Sequence, residues 1–295
     1  MSVLKNTLAI LIIAAIAFSC RSNVEKGQLI EFDSLQLSDN EIPLNPLDTV
    51  GEGLPIFYNM YLSVELSTLF ESAGAVFTPS QMNSVDKVSE YITSSQRAIN
   101  LGVYAVDLSY ARVFDQIETA GKYFGAMKEL SEDLGIPGDY FENTVKRFEK
   151  NFTNKDSLIY LANEVYMTTE EYLKENERYT TAALIIMGGW IEAIHIAINV
   201  AIESRDANII ERLVEQKYSL NNLMLMLSEH DDDEIVVEYY KKLETVKAKF
   251  NTMNIVFDVD FKEKSEEGQK VIDDALKQIM ELQETVSAFR DEITN

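Results

Sequence analysis

Glu192, His195 and Asn199 are the three polar residues in an otherwise apolar run from Ala182 to Ile202. Their spacing of three and four places them on one stripe of a helix. A second apolar stretch, residues 101–114, carries Tyr104, Asp107 and Tyr110 at intervals of three. A carboxylate among apolar residues must be paired, hydrogen-bonded or neutralised. Two chemistries follow. If the stripes converge on a cavity, His195 is a proton carrier, Glu192 or Asp107 is a base, and Tyr104, Tyr110 and Trp190 form an aromatic wall. If they do not, the same residues make a buried polar network that sets helix register. Perturbed carboxylates also occur in purely structural networks, and the second reading is preferred.

Metal chemistry finds little support. Glu192-Ala193-Ile194-His195 has the Glu-x-x-His form of a di-iron carboxylate helix, which needs a second copy and two further Glu on other helices. The other histidine, His230, has Leu227 in the corresponding position. One Cys and two His in 295 residues leave no multi-Cys or His-rich metal cluster and no internal disulfide. No metal and no cofactor are expected. With 26 basic against 49 acidic side chains, the formal charge is −23. That balance argues against nucleic acid as a partner, because a phosphate-binding face must be basic.

The single Cys has a telling position. Lys5 gives a positive start, Leu8–Phe18 is an uncharged apolar run, and Ser19 precedes Cys20. A charged start, a short apolar core and small residues at the cut describe a secretory signal peptide. The run is too short for a mature spanning helix, which needs about 20 apolar residues. The segment resembles the lipobox of bacterial lipoproteins, with Ser19-Cys20 as its core and Phe18 as a loose fit. That resemblance implies cleavage before Cys20, lipidation of Cys20 and anchoring in the membrane by its acyl chains. Two or more chains give stable anchoring where one is marginal. Cleavage would remove Lys5 and no acid, leaving a body that anionic headgroups repel. Residues 21–26 hold no acidic cluster, which favours the periplasmic face of the outer membrane.

These observations divide the chain into a signal peptide (1–19), a lipidated Cys with a linker (20–53) and a helical bundle domain (54–295). The linker contains Pro43, Pro46, Gly51 and Gly53 without persistent periodicity. The remainder is expected to be all-α, a bundle of about eight helices. Phe57 to Phe70 marks a first helix. Thr78-Pro79-Ser80-Gln81 has the form of a capped helix start. One helix is expected from about Leu101 to Leu134, ended by Gly135. A short one covers Tyr140–Asn151, another Asp156–Leu173, then Thr181–Ser204 and Ala207–Ser228.

Two apolar seams close the chain, one from Val236 to Met253 and one from Ile272 to Ile293, both spaced three and four. Such seams pack helices in bundles or pair them with a partner chain. Ile255, Phe257, Val259 and Phe261 alternate with polar residues, permitting a short strand or an extended strap. The run Ala182–Ile202 is long enough to span a membrane, but Glu192 at its centre would cost about 2.5–3.5 kcal/mol. It is expected to be the core helix of the bundle, with Gly188 and Gly189 admitting a close neighbour.

The stretches LGVYAVDLSYARVFDQ (101–116), NERYTTAALIIMGGWIEAIHIA (176–197) and VEQKYSLNNLMLML (214–227) resemble those of a group of uncharacterised helical lipoproteins from Gram-negative bacteria. The resemblance implies a helical fold and carries no catalytic residues. The resulting expectation is a lipid-anchored, periplasm-facing protein with a non-enzymatic binding, scaffold or accessory role toward a partner protein or small ligand. The alternative is an enzyme of unknown class working through Asp107, Glu192 and His195.

Overall fold

A computed structural model of the chain describes Phe70, residues 73–137, Lys146, Tyr172, Leu173, and residues 175–257 and 261–295. All belong to the unit Val50–Asn295. Cys20, the linker and the expected first helix (apart from Phe70) lie outside the described residues. So do the helices expected over 140–151 and 156–173, apart from Lys146, Tyr172 and Leu173.

The fold is all-α, as the periodicity predicts. Among the described residues two 3-10 turns, Pro79–Gln81 and Val85–Glu90, precede six α-helices. These are α1 (Ser94–Val113), α2 (Ile117–Asp133), α3 (Tyr179–Ser204), α4 (Ala207–Ser228), α5 (Glu234–Thr252) and α6 (Glu266–Thr294). No strand occurs among them. The segment after α5 is irregular, and Phe257 and Phe261 pack ring against ring at 4.7 Å between centroids.

Local signals explain most helix ends. Thr93 and Gln96 form a reciprocal capping box at the start of α1. Asp206, Asp233 and Ser265 cap α4, α5 and α6 with their side-chain oxygens. Gly135, at φ 74°, closes α2, and the Ile136 N–H reaches back to the Ser131 carbonyl at 3.0 Å.

Two expectations need correction. The single helix from Leu101 to Leu134 is two helices, and the first begins at Ser94. The break falls at Phe114–Gln116, where Asp115 takes φ 56° and the Gln116 N–H bonds to the Ala111 carbonyl at 2.8 Å. Asp tolerates the left-handed region better than most residues, so neither Gly nor Pro marks the site. The capping motif at Thr78–Gln81 opens only a three-residue 3-10 turn. Thr78 makes no side-chain cap: its hydroxyl donates to the Val76 carbonyl at 3.3 Å, and the Gln81 side chain turns to Glu203 at 3.2 Å.

The core is centred on α3, which packs against α1, α4 and α6. It is long and apolar enough to cross a membrane, yet 78% of its most apolar window is buried inside the fold. A helix buried on all sides has no polar face to show. Its closest neighbour is α1. A Cβ on Gly188 would overlap the Ile99 carbonyl, and one on Gly102 would overlap the Ile185 carbonyl. The backbones therefore meet at a glycine-lined crossing, as Gly188 and Gly189 suggest from the sequence, with Gly102 as the unforeseen third member.

The α5 and α6 seams are buried. Leu243, Val246, Ile272, Ile279, Leu282 and Val286 are each fully enclosed. The last helix packs on α3 and α5, so its seam is spent within the chain and is not free for a partner.

Candidate functional site

The segment running from Thr78 through the second 3-10 turn crosses the body as irregular chain. Buried irregular backbone has no ladder to satisfy its N–H and C=O groups, so side chains must do it. Five backbone groups of residues 78–84 are met in this way. The Thr78 N–H donates to the Tyr110 hydroxyl at 3.1 Å. Arg290 Nη2 donates to the Gln81 carbonyl at 3.2 Å. The Asn83 N–H donates to Asp107 Oδ2 at 3.1 Å. The Asn83 carbonyl accepts from the Tyr123 hydroxyl at 2.7 Å. The Ser84 carbonyl accepts from the Tyr104 hydroxyl at 2.8 Å.

Tyr104, Asp107 and Tyr110 are thus the fasteners of this strap, placed by α1 on the side it crosses. The two tyrosine rings pack against different neighbours: Tyr104 lies 5.7 Å from Tyr123, and Tyr110 lies 5.4 Å from Phe77. Their polar ends face backbone. The Asn83 amide adds bonds to the Tyr91 hydroxyl at 2.9 Å and to Asn100 Oδ1 at 3.2 Å.

The strap and α1 together secure the end of α6. Asn100 Nδ2 donates to the Ile293 carbonyl at 2.8 Å. Lys87 Nζ and the Tyr91 hydroxyl reach the Thr294 carbonyl at 2.9 and 3.2 Å. These are carbonyls that a helix leaves without internal partners, and a cation there also suits the helix dipole.

The stripe on α3 faces α6. Glu192 is fully buried and receives two bonds from Arg290, Nε at 2.7 Å and Nη2 at 2.8 Å. Such a bidentate pair is the strong form of charge-assisted hydrogen bond. Burial opposes the Arg290 charge, but the bonds and charge of Glu192 outweigh it and hold its pKa above the usual value. Asp107, also fully buried, feels the charge of Glu192, and its Oδ1 has no hydrogen-bond partner. Its pKa lies well above the ordinary range, first because of burial and next because of the Glu192 charge; Arg290 and the Asn83 N–H pull the other way.

One turn along α3, the Asn199 amide bonds to His195 Nε2 at 3.2 Å, and Gln283 Nε2 donates to Asn199 Oδ1 at 2.8 Å. Those bonds place the His195 proton on Nδ1, which is buried without a partner. Burial pushes the His195 pKa down, against the charge of Glu192.

Not every candidate converges. Asp107 and Glu192 meet, His195 and Asn199 form a neighbouring chain, and Trp190 faces elsewhere. Its indole N–H donates to Ser219 Oγ on α4 at 2.9 Å, and its ring packs near Phe250 of α5. It forms no wall with Tyr104 and Tyr110. Asn83 and Arg290 escape the sequence reading, as do Tyr91, Asn100, Tyr123 and Gln283. Arg290 had a readable signal: no acid stands three or four residues away on its own helix, so its partner had to come from another. Asn83 had none.

Asp107 and Glu192 are both shielded from solvent, so in this arrangement neither can take a proton from a diffusing substrate. Their bonds hold three helices and the strap in register. Among the described residues no group of three or more His, Cys, Asp or Glu is placed to hold a metal ion. No known protein family, curated protein or solved structure matches the chain.

Proposed function

We propose that this chain is a bacterial lipoprotein, anchored through lipidated Cys20 in the outer membrane and facing the periplasm. Its helical body serves a non-enzymatic binding, scaffold or accessory role toward a partner protein or small ligand. The anchor rests on the Ser19-Cys20 lipobox behind the Leu8–Phe18 run. The non-enzymatic role rests on one observation: Asp107 and Glu192, two of the three residues the enzyme alternative would use, are enclosed and committed to Arg290 and the strap. An enzyme needs its acid and base within reach of substrate.

Replacing Cys20 with Ala tests the anchor. The variant should move from the membrane fraction to the soluble fraction of the cell envelope. Equal retention on membranes would overturn the lipoprotein reading.

A further inference from the structure

The junction of α1, α3, α6 and the strap contains one more carboxylate than its donors can serve. Glu192 is paired with Arg290, which donates one bond to each of its oxygens. Asp107 Oδ2 is served by the Asn83 N–H. Asp107 Oδ1 is buried and has no hydrogen-bond partner, in a carboxyl exposed to the charge of Glu192. Two ionised carboxylates cannot hydrogen-bond, because neither has a proton to give. A fully buried carboxyl with one oxygen unserved, under the charge of a second carboxylate, is driven to its neutral form.

We propose that Asp107 is a neutral carboxylic acid in the folded protein, donating from Oδ1 to Glu192, and that this one proton latches the strap and the last helix onto the body. With the proton in place the junction balances: Glu192 and Arg290 cancel, and Asp107 carries no charge. Asp107 then accepts from Asn83 on one oxygen and donates to Glu192 on the other, while Arg290 ties Glu192 to the Gln81 carbonyl. Removal of the proton leaves a net negative charge enclosed among four elements. A pH above the raised value of Asp107 therefore loosens the contacts of residues 78–84 with α1 and of α6 with α3. The inference rests on this packing alone and is independent of the lipid anchor.

The charged and titratable neighbours come from every element at the junction. Glu192 and His195 stand on α3, Arg290 and Asp291 on α6, Tyr104 on α1, Tyr123 on α2, and Asp86 and Tyr91 on the strap. Arg290 is the cation among those acting on Asp107, and Glu192 already engages it. The tyrosines titrate above their ordinary value through burial and stay neutral across the range in which the latch works. The sign of the effect follows from the raised pKa of Asp107. At pH values between the ordinary carboxyl range and that raised value, the folded chain holds a proton that the unfolded chain has released. Stability is greatest on the acid side and falls as pH rises.

Asp107→Asn is the informative variant. Its amide reproduces the neutral acid, with oxygen toward the Asn83 N–H and nitrogen toward Glu192, and it cannot ionise. The experiment is infrared spectroscopy of the full chain at neutral pH, followed by chemical unfolding across pH. The native protein should show the carbonyl band of a protonated carboxyl shielded from water. The band should shift when aspartate is labelled with carbon-13, and it should vanish in Asp107→Asn. As pH rises through the window, the native folding equilibrium constant should fall relative to that of Asp107→Asn, by up to about tenfold per pH unit.

Absence of a protonated carboxyl band from the folded native protein would overturn the proposal. So would a band insensitive to aspartate labelling, or an identical pH slope in both proteins. The labelling arm needs no variant, so it decides the matter even if Asp107→Asn fails to fold.

Discussion

Two contacts of the same bundle are built on different physics. Where α5 and α6 meet, the seam is apolar side chains in a three–four rhythm, with Leu243, Ile279 and Leu282 fully enclosed. Where α1, α3 and α6 meet near the strap, the contact is made of glycines and polar groups. Gly102 and Gly188 bring two backbones together, and Asp107, Glu192 and Arg290 join the helices that surround them. The first contact gains from area and tolerates exchange of one apolar side chain for another of similar volume. The second has no such slack. A buried charge without its partner, or a methyl pressed into a carbonyl, has nowhere to relax.

Four substitutions separate these cases. Arg290→Ala should have the largest effect. It strands Glu192 as an enclosed, unpaired carboxylate, and loss of one partner of a buried pair costs about 3–5 kcal/mol. Chemical unfolding should show this as a lowered midpoint, and hydrogen exchange should rise in residues 78–91. A change below about 1 kcal/mol would mean that Glu192 finds another partner or a proton.

Gly188→Ala comes next, at about 1–3 kcal/mol, because the new methyl would overlap the Ile99 carbonyl and α1 would have to move away. Ala is otherwise the better helix former, so a stabilised variant would show that the close crossing is not needed. Leu282→Met, in the apolar seam, should cost less than about 1.5 kcal/mol. A loss as large as that from Arg290→Ala would erase the distinction between the two contacts.

The smallest effect belongs to His195. Burial lowers its pKa below the ordinary 6.5, so under mildly acidic conditions the unfolded chain binds a proton that the folded chain refuses. Stability should fall as pH drops from about 6.5 toward the lowered value. His195→Gln removes that contribution and should leave the opposite slope assigned to Asp107 unchanged. Native and variant profiles that run parallel on the acid side would place His195 outside this titration.

Legibility in the sequence follows the range of the forces involved. Helices α4, α5 and α6 stand close to where their periodicity puts them, because an apolar stripe repeating every three or four residues needs only its own turn of helix to be read. Gly135 closes α2 as expected for the same local reason. The stripe Glu192–His195–Asn199 was also legible as a stripe, and its orientation toward α6 follows from helical geometry once α6 lies beside it. The break at Asp115 was hidden, because a left-handed aspartate leaves no mark comparable with Gly or Pro. The Thr78–Gln81 cap misled because both side chains that would form it turn to other partners, Thr78 to the Val76 carbonyl and Gln81 to Glu203. Trp190 was placed with the tyrosines on type alone, whereas it points to Ser219 on the opposite side of α3.

By itself, then, the sequence determined the helical class, most helix boundaries, the apolar seams and the requirement that Asp107 and Glu192 be compensated. These depend on periods of a few residues and on the cost of removing a charge from water. Only the tertiary structure decided what compensates them. Arg290 is 98 residues from Glu192 along the chain, and Asn83 is 24 from Asp107. No local pattern encodes such pairings, because a hydrogen bond depends on positions in space that arise when the helices pack. The strap shows the same dependence: its backbone groups acquire partners only after α1, α2 and α6 have been brought around it.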